Sequence, residues 1–211
     1  SNTKVEERSL ILNKIADDLD QNPYELIYFL INEAGKTIQN AFDEIREAID
    51  FLRYYSNQII EISNIKELEG PTGEKNIISY CSKGRILCIS PWNFPVAILI
   101  GQISAALACG NNVIIKPSEH TSILGYLITK KFHEKGVPLE SLELIIGDGA
   151  YGEALTKINP LNGVAFTGSL KTAKKISGKT KLIGVTILTS LDNKSLKEIG
   201  YSKGVKKIVL E

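Results

Sequence analysis

Two short polar segments of the chain carry residue types that suit the binding of a nucleotide. Residues 116–119 (KPSE) follow an apolar run, and Glu119 can accept hydrogen bonds from both hydroxyls of a ribose while Lys116 donates to the same sugar. Residues 166–169 (FTGS) follow another apolar run, where Gly168 admits a phosphate close to the backbone and Ser169 adds a hydroxyl. Each segment also admits a plainer interpretation, as a surface ion pair and a helix N-cap respectively.

A glycine-rich segment, residues 147–152 (GDGAYG), fits the pattern G-x-G-x-x-G of dinucleotide-binding turns, with Gly149 as its second glycine. That motif is expected to have an acidic residue about 20 positions further on, which holds the ribose. Between positions 154 and 191, however, the chain has neither Asp nor Glu. A glycine-rich turn is therefore favoured over the ordinary dinucleotide fingerprint, and Gly149 remains a candidate cofactor-binding residue.

Residues 35–37 (GKT) resemble the end of a phosphate-binding P-loop. The P-loop motif needs another glycine five residues earlier, where this chain has Leu30. We therefore expect a helix C-cap at Gly35, followed by the N-cap of a new helix.

The elements that must position these residues change in kind along the chain. The first sixty residues predict helices, the third of which runs from about residue 38 to residue 60, whereas strands and helices alternate from residue 84 onward. Such units predict a parallel sheet with helices on both faces. The predicted strands are 85–90, 112–116, 142–146 and 163–167, and the predicted helices are 96–109, 122–135, 153–158 and 169–176. The fold class is therefore α/β, with a helical segment (1–63), a connector (64–83), a Rossmann-like domain (84–177) and a divergent tail (178–211).

The composition excludes several classes of function. The net charge of +1 leaves no basic field for nucleic acid or an anionic membrane, and no apolar run reaches the ~20 residues of a membrane span. Three cysteines without C-x-x-C spacing and two histidines predict a reducing, cytoplasmic location without a disulfide framework or a metal site. The charged segment 5–20 is unlike a signal peptide. The 211 residues contain no methionine, so we expect translation to begin upstream of the first residue.

Three motifs occur in an order and spacing that resemble the aldehyde dehydrogenase superfamily: residues 90–95 (SPWNFP), 116–119 (KPSE) and 166–169 (FTGS). Residues 33–37 (EAGKT) and 70–74 (GPTGE) resemble the glutamate-semialdehyde (pyrroline-carboxylate) dehydrogenase module of bacterial bifunctional proline-utilisation proteins. The resemblance runs from the first helices to about residue 176. It implies the N-terminal, NAD-binding part of an oxidoreductase of proline catabolism, which acts on an aldehyde group.

The resemblance also implies roles for individual residues. Asn93 would donate its side-chain amide to the oxyanion that forms when a thiolate attacks the aldehyde. Lys116 and Glu119 would bind the adenosine ribose, with Glu119 favouring NAD over NADP by repelling a 2′-phosphate, and Ser169 would hold the pyrophosphate. The full set of cofactor-binding candidates is Ser90, Pro91, Trp92, Lys116, Glu119, Gly149, Gly168 and Ser169. The family usually continues Gly-Ser-Thr-Glu, whereas here Leu170 and Lys171 follow Ser169.

The thiolate nucleophile and the general-base glutamate of the family come after the point where the resemblance ends. We expect Cys88, inside a predicted strand, to be a structural thiol, and neither Cys81 nor Cys109 has the family's nucleophile context. Two hypotheses remain: a complementing catalytic chain supplies the missing groups, or the chain is a non-catalytic remnant with little or no NAD binding. A homo-oligomer of the chain is the other expected partner.

The tail, residues 181–211, is similar to a short stretch of orotidine monophosphate decarboxylases, in which a threonine that matches Thr189 contacts the nucleotide. The Lys/Asp catalytic cluster of that family is missing from this chain, which makes a decarboxylase fragment a remote alternative. The other interpretation is that residues 181–189 supply an apolar strand at the edge of the nucleotide-binding sheet.

Overall fold

A computed structural model of the protein describes residues 3–177 and the backbone of residues 182–187. Three helices form the N-terminal part: α1 (Val5–Gln21), α2 (Tyr24–Asn32) and α3 (Ile38–Ser63). Each buries one apolar stripe, which in α1 includes Leu12, Ile15 and Leu19. The stripe of α1 packs along α3, where the buried Ser9 hydroxyl donates to the carbonyl of Ser56 at 2.9 Å.

The turn between α2 and α3 confirms the interpretation of residues 35–37 as two helix caps. Gly35 has a φ of +68°, the left-handed conformation that favours glycine, and the N–H of Lys36 donates to the carbonyl of Leu30. The hydroxyl of Thr37 then accepts from the N–H of Asn40 and begins α3.

The connector forms a short antiparallel pair, β1 (Lys66–Leu68) with β2 (Asn76–Ile78). The sequence of the connector also predicts an extended segment over residues 76–81, and β2 covers only its first half. The strand β1 was not predicted, because all three of its residues are exposed and leave no alternation of apolar and polar side chains.

The remainder alternates strands with helices, as predicted. Its elements are β3 (Arg85–Ile89), α4 (Ala97–Ala108), β4 (Asn112–Lys116), α5 (Ser122–Glu134), β5 (Leu142–Leu144), α6 (Gly149–Leu155), β6 (Gly163–Gly168), α7 (Leu170–Ser177) and β7 (Leu182–Ile187). Most bounds agree with the sequence prediction to within one residue. The strand β5 stops two residues early, and α6 spans Gly149–Leu155, three residues short of the predicted end at 158. The glycine-rich segment opens this helix, as predicted, and the carboxylate of Asp148 caps its first N–H groups.

All five strands of this sheet are parallel, in the order β5-β4-β3-β6-β7. Alternate residues of β3 enter different cores: Ile86 and Cys88 join the core shared with the N-terminal helices, whereas Leu87 packs with Phe166 and Ile176 on the other face. Both faces are therefore covered, which explains why β3 reads as a continuous apolar run. Within the described part of the chain, no helix is both long enough and apolar enough to cross a membrane.

The last described strand, β7, pairs with β6 at one edge of the sheet. The alternative in which residues 181–189 supply an edge strand thus agrees with the backbone of residues 182–187. Thr189 and most of the decarboxylase-like segment lie outside the described residues.

Candidate cofactor-binding site

The three motifs meet at the carboxyl edge of the sheet. The strand β3 lies between β4 and β6, with Ile89 in register with Lys116 on one side and with Phe166 on the other. Chain connections diverge at β3: the next strand in sequence lies on one side of it, and β6 lies on the other. Open parallel sheets bind ligands outside the carboxyl ends of their strands at such a switch point.

The KPSE segment at the end of β4 presents a buried cation beside an exposed carboxylate. The Lys116 side chain is 6% exposed, and its Nζ lies 3.1 Å from the carbonyl of Pro117 and 3.6 Å from Oε2 of Glu119. The Glu119 side chain is 49% exposed. The pair is therefore not an ordinary surface ion pair, because the lysine is enclosed and only the carboxylate is open to a ligand.

The segment that follows β3 holds buried polar atoms without partners. Ser90 is buried, and its Oγ, like Oδ1 of Asn93, has no hydrogen-bond partner among the described residues. Pro91 is half-buried, whereas Trp92 is exposed. Buried polar groups are nearly always paired with protein or water, so these two atoms indicate a place where a ligand or water belongs.

A residue that sequence reasoning missed, Gln102 of α4, joins the two strands at the switch point. Its Nε2 donates to the carbonyl of Ile89 at the end of β3 and lies 3.2 Å from Oγ1 of Thr167 in β6. Its Oε1 is also buried without a partner among the described residues. The available signal was a polar residue that interrupts an otherwise apolar helix.

The FTGS segment ends β6 and begins α7. A Cβ at Gly168 would lie 2.6 Å from Cζ of Phe166, so the position has no room for a side chain. The Ser169 hydroxyl accepts from the N–H of Thr172 at 3.3 Å and lies 3.0 Å from the Thr172 hydroxyl. Ser169 is thus an N-cap, and Thr172 brings a second hydroxyl to this helix end although Leu170 stands where the family usually has a threonine.

The glycine-rich turn lies beside the KPSE segment. A Cβ at Gly152 would lie 3.4 Å from Cδ of Lys116, whereas the position above Gly149 is open. Asp148 Oδ1 accepts from the N–H groups of Ala150 and Tyr151 at 2.9 and 3.4 Å. The N–H groups that would receive a phosphate in the ordinary fingerprint are therefore paired with a carboxylate of the chain itself.

The thiols differ in their surroundings. Cys88 is fully buried in β3, and burial raises the pKa of its thiol to about 12. Burial also raises the pKa of Cys109, although Arg8 acts in the opposite direction. Among the described residues, His, Cys, Asp and Glu form no cluster of three or more that could hold a metal ion.

Comparison with known proteins agrees with these observations. The sequence profile of the aldehyde dehydrogenase family matches residues 1–191. Bifunctional protein PutA of Rhizobium meliloti is 40% identical over 176 residues, which are 83% of this chain and 13% of that protein. 1-Pyrroline-5-carboxylate dehydrogenase 1 of Halalkalibacterium halodurans is 36% identical over 169 residues, which are 80% of this chain and 33% of that protein.

The fold comparison gives the same result. The crystal structure of a Proline Utilization A (PutA) variant from Bradyrhizobium japonicum superposes with a TM-score of 0.84 at 37% identity, over 89% of this chain and 20% of that chain. The chain thus spans about an eighth of the PutA sequence and a third of the shorter dehydrogenase. The family match also extends to residue 191, into the segment that the sequence assigned to a divergent tail. This chain belongs to the aldehyde dehydrogenase family.

Proposed function

We propose that this chain is the NAD-binding part of an aldehyde dehydrogenase of the glutamate-semialdehyde (proline catabolism) type. The observation that carries the proposal is the convergence of three ligand-competent segments, residues 90–93, 116–119 and 168–169, at the switch point of a parallel sheet. The similarity to PutA and to a pyrroline-carboxylate dehydrogenase supports the proposed substrate class.

The residues present fit a dinucleotide. The exposed carboxylate of Glu119 can accept from ribose hydroxyls, and Lys116 is held beside it by the fold. At α7, the hydroxyls of Ser169 and Thr172 and the first N–H groups of the helix suit a pyrophosphate. When bound, NAD would accept a hydride from the substrate; the chain's part is to bind and orient it.

The other candidates border this site. Ser90, Pro91 and Trp92 would line the cleft, with Trp92 exposed and Ser90 buried. Gly149 would offer open backbone beside the KPSE segment, and Gly168 would let the backbone approach a phosphate. The amide of Asn93 would stabilise an oxyanion at the far end of the cofactor.

The catalytic thiolate and base are proposed to come from a complementing catalytic chain or a longer polypeptide. A homo-oligomer, the other proposed partner, would repeat the residues of this chain and would not supply them. Cys88 does not supply the nucleophile, because a thiol with a pKa of about 12 is protonated at neutral pH. The cytoplasmic location and the absence of nucleic-acid or membrane partners stay predictions from composition.

Calorimetry with NAD and NADP tests the proposal. The chain should bind NAD more tightly than NADP by about tenfold or more, since the Glu119 carboxylate would repel a 2′-phosphate if it binds the ribose as proposed. Glu119→Ala should bring the two affinities together. The control is Glu134→Ala, which removes a similarly exposed carboxylate that pairs with Lys130 at the other end of α5; it should leave the ratio unchanged.

Two outcomes would contradict the proposal. Equal affinity of the unmodified chain for both cofactors would remove the role of Glu119. No heat from either cofactor at millimolar concentration would favour the alternative, a non-catalytic remnant of the family.

A further inference from the structure

Two carboxylates of the N-terminal helical part reach across to the α/β layer and cap helices there. Glu33, after α2, accepts from Ile123 N and Leu124 N at 2.8 and 2.9 Å, one with each carboxylate oxygen. Glu44 of α3 accepts from Val96 N and Ala97 N at 2.7 and 3.2 Å, both with Oε1. N–H groups in the first turn of a helix have no partner within the helix, and the helix dipole favours a negative charge there.

Glu44 has a second partner that leads to the loop after β3. Its other oxygen, Oε2, lies 2.5 Å from Nζ of Lys36, and both side chains are nearly or fully buried. Nζ of Lys36 also lies 4.0 Å from the centroid of the Phe94 ring, within the range of a cation–π contact. Phe94 is the neighbour of Asn93 in the chain. Glu44 and Lys36 therefore hold both the helix that follows the loop and the aromatic ring beside the candidate oxyanion donor.

Glu33 is connected in the same way to the KPSE segment. The helix α5, which it caps, packs directly against that segment: a Cβ at Gly125 would lie 2.5 Å from Cγ of Pro117. The turn between them is held by Ser118, whose Oγ accepts from the N–H of His120 and whose carbonyl accepts from that of Thr121. A shift of α5 therefore moves Pro117 and its neighbours Lys116 and Glu119.

We propose that Glu33 and Glu44 are positioning residues for separate halves of the cofactor cleft. Glu44, together with Lys36, sets the loop that carries Trp92 and Asn93, and Glu33 sets the segment that carries Lys116 and Glu119. The EAGKT segment thus acts on the site from a distance, through helix caps and without contact with the ligand. The functional meaning of this arrangement rests on the proposed NAD binding, whereas the positioning itself does not.

The first experiment needs no ligand and follows the two halves separately. Trp92 is the only tryptophan of the chain, so its quenching by acrylamide reports on the loop after β3. Hydrogen exchange at the N–H groups of His120 and Thr121 reports on the segment after β4. Glu33→Gln should speed exchange at these amides about tenfold and leave Trp92 unchanged, because an amide cannot accept with both atoms.

Variants of Glu44 and Lys36 should change the Trp92 reporter and leave the exchange of His120 and Thr121 unchanged. Glu44→Gln keeps an acceptor for Val96 and Ala97 but turns an amide toward the Lys36 ammonium, so the quenching of the exposed Trp92 should change by about 1.5-fold while His120 and Thr121 exchange normally. If the unpaired lysine prevents folding, the double variant Lys36→Met with Glu44→Gln removes both charges and still releases Phe94. Lys36→Arg, which keeps a cation over the Phe94 ring, should leave both reporters close to their values in the unmodified chain.

Asp18→Asn is the matched control. Asp18 is also a carboxylate of the helical part that contacts α5, where it pairs with Lys131 and Lys135, but it caps no helix that follows a loop of the cleft. It should move neither reporter. The proposal is overturned if Glu33→Gln and Glu44→Gln alter both reporters alike, if neither variant alters its own reporter, or if the control alters them equally.

A second readout connects the positioning to the cofactor. Glu33→Gln should reduce the ratio of NAD to NADP affinity, which depends on Glu119, whereas Glu44→Gln should weaken both cofactors by the same factor. If neither cofactor binds the unmodified chain, the proposed function fails while the ligand-free reporters still decide the positioning. If the cofactors bind and the two variants act identically on the ratio, the positioning fails and the proposed function stands.

Discussion

The helices α6 and α7 both begin at the carboxyl edge of the sheet, yet their N-termini face different partners. At α6, Asp148 Oδ1 accepts from the first free N–H groups, so a negative charge already occupies the end of the helix. At α7, the uncharged hydroxyl of Ser169 caps the helix and the hydroxyl of Thr172 lies beside it. A phosphate would be repelled at the first end and could receive hydrogen bonds at the second.

The two helix N-termini also differ in the position of the strand that precedes each of them. The strand before α7, β6, lies next to β3 at the switch point, whereas β5, which precedes α6, is an edge strand. The segment with the better match to G-x-G-x-x-G is thus the one with the poorer place for a pyrophosphate. Glycine spacing reports a tight turn before a helix, and only the strand order and the cap show whether that turn can take an anion.

The largest effect is expected when the two caps are exchanged. Ser169→Asp should weaken NAD binding by more than about tenfold, because the new carboxylate would face the pyrophosphate at α7. Asp is as good an N-cap as Ser, so the fold should be retained. Calorimetry measures the affinity, and the thermal unfolding midpoint checks the fold.

The reciprocal change is the control for this exchange. Asp148→Ser also keeps an N-cap, at α6, and should leave NAD affinity within about twofold of the unmodified chain. An equal loss of affinity in both variants would mean that the two helix ends contribute alike and that the comparison is wrong.

A smaller effect is expected at the second hydroxyl of α7. Thr172→Val removes the partner of Ser169 Oγ and should weaken NAD binding about fivefold, since a neutral hydrogen bond contributes ~1 kcal/mol. Thr156→Val, at the end of α6, removes a hydroxyl that donates to the carbonyl of Glu153 and serves as the comparison. If the second substitution weakens binding as much as the first, the Thr172 hydroxyl has no special role.

The smallest effect on binding is expected at Asp18. This residue acts on the stability of the fold, and so on the pH range over which NAD binding at the two helix ends can be measured. Burial alone would raise the pKa of Asp18, but hydrogen bonds from Lys135 and Lys131 outweigh it and lower the pKa below the ordinary 3.8. The ionised form therefore stabilises the fold above about pH 4, and this contribution is lost as the pH falls through the lowered pKa.

Asp18→Asn should lower the free energy of unfolding by about 2 kcal/mol at pH 7 and leave NAD affinity unchanged. Urea unfolding as a function of pH measures the difference, which should narrow progressively below pH 4. A difference that stays constant down to pH 2 would show that the carboxylate charge is not its source.

The sequence predicted the order of elements in the α/β part because strands such as β3 and β4 are short apolar runs between polar turns. The three family motifs also placed Ser90, Lys116 and Ser169 correctly at strand ends. Contacts between residues far apart in the chain could not be predicted from the sequence. Nothing local marks Glu33 or Glu44 as helix caps, since their N–H partners lie 90 and 52 residues further along the chain.

Gln102 and Thr172 were missed for a related reason. Each looks like an ordinary helical residue, and its importance comes from the neighbour that the fold supplies: the carbonyl of Ile89 for Gln102, and the hydroxyl of Ser169 for Thr172. The family pattern has a threonine at position 170, where this chain has Leu170. Residues three apart on a helix are neighbours, and this spacing is what brings the Thr172 hydroxyl to Ser169.

Backbone amide chemical shifts of the ¹⁵N-labelled chain, recorded during titration with NAD, test the central claim most directly. Binding at the switch point should produce the largest shifts in three segments: residues 90–93, 116–119 and 168–172. Residues 150–151, whose N–H groups at the start of α6 donate to the Asp148 carboxylate, should shift much less. No shifts at millimolar NAD, or shifts concentrated at residues 148–151, would contradict the account.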